Sequence, residues 1–167
     1  MSFIADLEPE ADAYWTAIVD HPMVSALGAG TLDDDPFRYW IRQDYVYLVD
    51  YARVFAHGAA TAPDLDRMRT FADLLESTVE TEMALHREYA AEFGIDESEL
   101  EATDPSPTTR AYTDFLVRTA TDGSFGDLVA AILPCMWGFN ETGERLAADG
   151  LPDDDRYAEW IRTYASD

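Results

Sequence analysis

The stretch Asp35-Pro36-Phe37-Arg38-Tyr39-Trp40-Ile41-Arg42-Gln43-Asp44-Tyr45-Val46-Tyr47-Leu48-Val49-Asp50-Tyr51-Ala52-Arg53-Val54-Phe55 decides the fold. Phe37, Ile41, Asp44, Leu48, Tyr51 and Phe55 recur every three to four residues, the period of one helix face and not the alternation of a strand. Asp35 supplies an N-cap, and Pro36 suits a first helical turn, where its missing N–H has no partner to lose. Pro63 closes the helix.

The same period extends outward in both directions. A first helix is predicted from about Phe3 to Asp20, with Phe3, Leu7, Ala11, Tyr14, Trp15 and Ile18 inward, stopping before Pro22; Gly28-Ala29-Gly30 reads as a loop. After the Asp35 helix, a third runs from about Asp64 to Phe93 on Met68, Ala72, Leu75, Val79 and Met83, ending at Gly94, where left-handed caps favour glycine. The acidic stretch Ile95 to Pro107 reads as a surface loop, and Ser106-Pro107 starts a fourth helix whose inner face is Tyr112, Phe115, Leu116 and Thr119. Asp122-Gly123 is a turn signal. A fifth helix, about Phe125 to Ala148, carries Phe125, Leu128, Ile132, Cys135 and Phe139, with a kink expected at Pro134. A sixth begins near Asp154 and gathers Tyr157, Trp160, Ile161 and Tyr164. No strand pattern competes, so the expectation is an all-α bundle of six helices in a single domain, 1–167, with antiparallel neighbours. The aromatic face of the sixth helix continues to the end of the sequence, which predicts a partner chain, a further segment or an exposed patch beside it.

Composition limits the function. The 167 residues are 47% hydrophobic and 13% aromatic, enough for a core and unlike a disordered chain. Against 34 acidic residues stand 11 basic ones, all arginine, giving a net charge of −23. Without a basic face, nucleic acid and anionic membranes are poor partners. Acidic excess without lysine reads as adaptation to a salty cytoplasm, where short-range screening suppresses self-repulsion. A single Cys excludes an intramolecular disulfide. The acidic N-terminus lacks a signal-peptide pattern, and the longest apolar run, Leu128 to Phe139, has 12 residues where a bilayer span needs roughly 20. A soluble cytoplasmic protein is the expectation.

Two polar residues lie on otherwise apolar stripes, Asp44 and Cys135. A free Cys packs as a small hydrophobe, whereas a buried Asp requires a partner, here either an arginine or a chemical role. A carboxylate beside a thiol can orient it and manage its proton, because the thiolate is the nucleophile. Tyr47, Tyr112, Phe139, Tyr157 and Tyr164 supply aromatic surface for core packing or for stacking on a flat heterocycle. Glu82 and His86 stand i, i+4 and suggest an ion pair or a two-ligand metal face; the Glu-x-x-His copies of di-iron bundles are absent, and no metal is assigned. His21 and His57 read as structural.

Several segments together resemble the TenA family, also called thiaminase II: His21-Pro22-Met23-Val24 through Gly30-Thr31-Leu32, Phe37-Arg38-Tyr39-Trp40, Gln43-Asp44-Tyr45-Val46-Tyr47-Leu48, Thr109-Arg110-Ala111-Tyr112, Gly123-Ser124-Phe125, Leu133-Pro134-Cys135-Met136-Trp137, and Tyr157 to Tyr164. The resemblance covers essentially the whole chain. It implies a haem-oxygenase-like helical fold without haem or other cofactor, a homotetramer, and hydrolysis of aminopyrimidines in thiamin salvage. It implies Cys135 as the nucleophile that adds to the pyrimidine, Asp44 as the carboxylate that orients pyrimidine and cysteine, and Tyr47, Tyr112 and Tyr164 as pocket residues. Phe139 stands where the family often has Tyr. Family members also continue for about two more helices, which supply an acid–base glutamate; no residue of this sequence matches it. A non-catalytic relative that binds a pyrimidine or thiamin-like ligand is the alternative.

Overall fold

The computed structural model describes residues 3–165, with side chains from residue 6 onward, so Phe3 of the first expected stripe lies outside the described side chains. The described residues are helical and contain no strand. They fall into two compact units. One comprises Asp34–Leu133; the other joins the residues up to Asp33 to those from Pro134 onward.

The Asp34–Leu133 unit is built around α3 (Asp34–Thr61), whose faces meet α4 (Leu65–Glu76), α5 (Met83–Glu92), α6 (Glu97–Glu101) and α7 (Pro107–Asp122). Here the expected stripe holds: Phe37, Ile41, Leu48, Tyr51 and Phe55 are buried. Each such side chain contributes on the order of 1.5–3 kcal/mol relative to exposure. The rings Tyr51 and Phe55 (4.5 Å between centroids), Phe55 and Phe71 (6.1 Å), and Phe71 and Phe125 (5.2 Å) form a continuous aromatic series. Gly58 lets α4 approach, since a Cβ there would lie 2.1 Å from the Phe71 ring.

The third expected helix differs from its prediction. Between α4 and α5 the rod passes through a π-helical turn, Ser77–Glu82, and the inner side chains are Phe71, Thr78, Met83, His86 and Ala90. Met68 and Val79 of the expected stripe are exposed. A wide turn inserts one residue. Thr78 and Met83, five apart, therefore both face inward, whereas an unbroken α-helix would have carried Glu82 there.

Two short helices lie where none was expected. Within Ile95 to Pro107, α6 forms because the Asp96 carboxylate accepts the Glu99 N–H at 2.9 Å. In the other unit, α2 (Pro22–Gly28) starts from His21, whose Nδ1 accepts the Met23 N–H at 3.2 Å, and leaves only Ala29 onward as turn. On α7 the Ser106 cap and Pro107 behave as read, but Phe115 is 54% exposed while Thr113, Leu116 and Ala120 face inward.

The other unit contains α1 (Phe3–Val19), α2, the α8 residues from Pro134 and α9 (Asp155–Tyr164). α8 itself, Phe125–Ala148, runs through Pro134 as one helix. In α1 the expected face is corrected: Trp15 is buried against Trp137, 5.5 Å between centroids, while Tyr14 and Ile18 point outward. Most of the aromatic face of α9 is covered from within the chain. Tyr157, Trp160 and Ile161 are buried, the Tyr157 hydroxyl donates to the Leu32 carbonyl at 3.1 Å, and Phe139 meets Tyr164 at 4.8 Å.

Candidate functional site

Asp44 sits on the third turn of α3, and its side chain is 11% exposed. Neighbours Ile41 and Leu48 lock that face inward, so the carboxylate cannot turn to solvent and must be met by a donor. The donor is His86 on α5, with Nε2 2.6 Å from Asp44 Oδ2. This replaces the arginine weighed from the sequence. The second ring nitrogen, Nδ1, lies 2.8 Å from the backbone carbonyl of Glu82 in the π turn. Glu82 thus meets His86 through its main chain and not as the carboxylate partner that an i, i+4 spacing suggested.

The electrostatics follow from this arrangement. Burial works against a charged imidazole at His86, but the hydrogen bond it donates to Asp44, the negative charge of Asp44, the Glu82 carbonyl and the Glu82 charge outweigh it, and His86 titrates above its ordinary range. Glu82 is exposed, but partial desolvation of its carboxyl pushes its pKa up; His86 opposes that shift and Asp44 adds to it. A carboxylate held by a fixed donor is suited to gripping a polar edge of a ligand.

One turn further along α3 the Tyr47 ring lies parallel to Tyr112 of α7, with centroids 5.7 Å apart and an angle of 6°. Gln43 sets the relation between the two helices. Its Oε1 accepts from the Ser106 N–H at 2.7 Å and the Thr109 hydroxyl at 2.8 Å, and its Nε2 donates to the Asp104 carbonyl at 3.2 Å. Three bonds from one side chain fix the start of α7, and Tyr112 follows one turn after Thr109. Asp44, Tyr47 and Tyr112 all lie in the Asp34–Leu133 unit.

Cys135, Phe139 and Tyr164 belong to the other unit. Cys135 is a partly buried thiol one residue after Pro134, and it forms no disulfide. Phe139, one turn further along α8, packs on Tyr164, which also meets Trp160 at 4.7 Å. Asn140 Nδ2 donates to the Tyr164 carbonyl at 3.3 Å, and a Cβ on Gly143 would lie 2.5 Å from the Tyr164 carbonyl carbon, so α9 lies close along α8.

His21 caps α2, a structural role, and the backbone carbonyl of His57 accepts from the Thr61 hydroxyl. Among the described residues no cluster of three His, Cys, Asp or Glu side chains is placed to hold a metal ion. Sequence reasoning missed the Asp44–His86 pair, because the two are 42 residues apart. The available signal was a buried carboxylate in a chain with three histidines and no lysine.

Residues 8–167 match the TENA/THI-4/PQQC family. The chain is 46% identical to an aminopyrimidine aminohydrolase of Halalkalibacterium halodurans, covering 100% of this chain and 75% of that protein. It is 40% identical to an aminopyrimidine aminohydrolase of Bacillus subtilis, covering 100% of this chain and 70% of that protein. In three dimensions it is similar to a TenA homologue from P. horikoshii OT3, with a TM-score of 0.92 at 27% identity over 100% of this chain and 78% of that one. A TenA family transcription regulator from Silicibacter sp. TM1040 superposes with a TM-score of 0.90 at 32% identity, over 98% of this chain and 72% of that one. The fold is accordingly the all-α, haem-oxygenase-like one that the sequence resemblance implied, and the Gln43-Asp44 and Pro134-Cys135 segments are those of a chain that belongs to the TENA/THI-4/PQQC family.

Proposed function

We propose that the chain is an aminopyrimidine aminohydrolase, a hydrolase that cleaves an exocyclic C–N bond in salvage of the thiamin pyrimidine. The observation that carries this is 46% identity over the whole chain to a protein of that activity. Its substrate is a small molecule, and the reading names 4-amino-5-aminomethyl-2-methylpyrimidine, with the hydroxymethyl compound and ammonia as products.

In this reading the Cys135 thiolate adds to an electron-poor ring carbon, and the ring's electron pair then expels the exocyclic amine as ammonia once it is protonated. Water adds to the exocyclic methylene so formed. The carbon–sulfur bond then breaks, restoring the thiol and leaving the alcohol. Asp44 holds the amino-substituted edge of the pyrimidine and orients the cysteine, while Tyr47, Tyr112, Phe139 and Tyr164 supply aromatic surface for the ring. Support for these roles comes from the resemblance of the segments around Asp44, Tyr47, Tyr112, Cys135 and Tyr164 to the family, Phe139 departing from it, and from the near-complete burial of the Asp44 side chain beside its donor. No cofactor enters the chemistry.

The reading extends to a homotetramer in the cytoplasm. Among the described residues no helix is long and apolar enough to cross a membrane. With a net charge of −23, the melting temperature is expected to rise between dilute buffer and molar salt; an unchanged melting temperature would remove the salty-cytoplasm reading.

The experiment is incubation with the aminopyrimidine in molar salt, followed by quantification of ammonia and the hydroxymethyl product. One of each per substrate consumed is expected. Tight binding without turnover would replace the enzyme by a pyrimidine-binding relative.

A further inference from the structure

We propose that His86 is the positioning residue for Asp44, fixed by the π turn as a two-sided hydrogen-bond donor that keeps one carboxylate oxygen occupied and directs the other to the substrate. The inference deepens the proposed function and rests on it.

The argument begins with the two partners of the imidazole. A backbone carbonyl can only accept, and an aspartate carboxylate can only accept. Glu82 O and Asp44 Oδ2 lie 2.8 and 2.6 Å from Nδ1 and Nε2, so both nitrogens must carry hydrogen for both bonds to be made. Only the imidazolium does that. The neutral ring leaves one acceptor facing a lone pair, in a site where His86 is 6% exposed and water does not take over.

Geometry makes the arrangement specific. The wide turn at Ser77–Glu82 brings His86 to the inner face and places the Glu82 carbonyl one turn before it, under the ring. Such π segments occur often at functional sites. The groups that face the imidazole are Asp44 and the Trp40 ring from α3, 6.3 Å between ring centroids, and Glu82 from the π turn. Arg87, next along α5, is engaged elsewhere, pairing with Glu97 at 2.9 Å and donating to the Tyr45 hydroxyl at 3.2 Å. A charged donor on Oδ2 leaves Oδ1 as the carboxylate oxygen available to a pyrimidine amino group.

The consequence is an alkaline limit to activity. As pH rises through the raised titration of His86, the ring loses a proton, one of its two bonds fails, and Asp44 loses its fixed orientation. The test compares wild type, His86→Gln and His86→Phe by the pH dependence of kcat/KM for the aminopyrimidine, with thermal melting as the control for folding. Gln can donate to Asp44 but cannot titrate, so H86Q should keep measurable activity, lowered about 10-fold, and lose the His86-dependent alkaline limb. H86F, which fills the space without a donor, should fall further, by about 100-fold. An unchanged alkaline limb in H86Q, or equal activity in H86Q and H86F, would overturn the proposal.

A second measurement needs no turnover. In 15N-labelled protein, both ring nitrogens of His86 should be protonated at neutral pH, and its titration midpoint should drop in Asp44→Asn. An unshifted midpoint would overturn the pairing. If wild type binds the aminopyrimidine without hydrolysing it, the proposed function fails while the nuclear magnetic resonance result still decides the pairing.

Discussion

The two rods that hold the Asp44–His86 pair are built on different rules. α3 is one regular helix of 28 residues, and its inner face can be followed from Phe37 to Phe55 without a change of phase. The rod opposite is α4, a six-residue π turn and α5, and its inner face shifts by one residue between Thr78 and Met83. α3 presents the carboxylate simply by keeping its period; α4–α5 presents the donor only by breaking its own. Regular structure places a residue where sequence spacing puts it, and the irregular turn is what lets one further residue meet it.

The most severe way to break this contrast is to shift the phase of the irregular rod. Inserting an alanine after Met83 should rotate the rest of α5 by about 100° relative to α4. His86 then leaves Asp44, and a carboxylate deprived of its partner in this site costs about 3–5 kcal/mol. The expected outcome is a large fall in melting temperature together with loss of hydrolysis. An insertion variant with the wild-type His86 titration would show that the phase of the rod does not set the contact.

Replacing Asp44 by Asn keeps both rods and removes the charge between them. Hydrolysis should fall by roughly 10²–10⁴-fold, the range expected for a positioned proton-handling group. Stability against pH should change as well, with a definite sign. His86 is raised above its ordinary value of 6.5, so the pair stabilises the folded state fully below that pH and loses the contribution as pH rises through the folded value. Glu82, raised from 4.5, adds loss in the same direction. Denaturant melts of wild type from pH 6 to 10 should therefore show a decline that is shallower in D44N. A parallel decline would mean that the histidine is not coupled to Asp44.

The smallest expected effect lies on the regular rod. Gly58→Ala drives a methyl group into the Phe71 ring and should cost about 1–3 kcal/mol, read as a lower melting temperature with activity per folded molecule unchanged. A neutral result would mean that α3 and α4 can separate locally, and would sharpen the contrast by making Gly58 a matter of helix propensity alone.

The same difference explains what was legible in the sequence. Phe37, Ile41, Leu48, Tyr51 and Phe55 announce α3 because burial and period agree. Met68, Ala72 and Val79 misled because Phe71, Thr78 and Met83 are spaced by seven and then five residues, and no single helical period contains both steps. α2 and α6 were hidden for another reason. Each is only about two turns or fewer, and each depends on one side-chain cap, from His21 and from Asp96, where glycines and prolines nearby suggest loop. Asp44 and Cys135 stood out as polar residues on apolar stripes. The partner of Asp44 did not, because a contact between residues 42 apart has no local signature.

The account rests on one reaction. Ammonia release from the aminopyrimidine in molar salt, measured for wild type and Cys135→Ala at equal folded fraction, tests it most directly. Steady release by wild type and a drop of about 10³-fold or more in the variant is the predicted result. No release by wild type, or equal release by both, would contradict it.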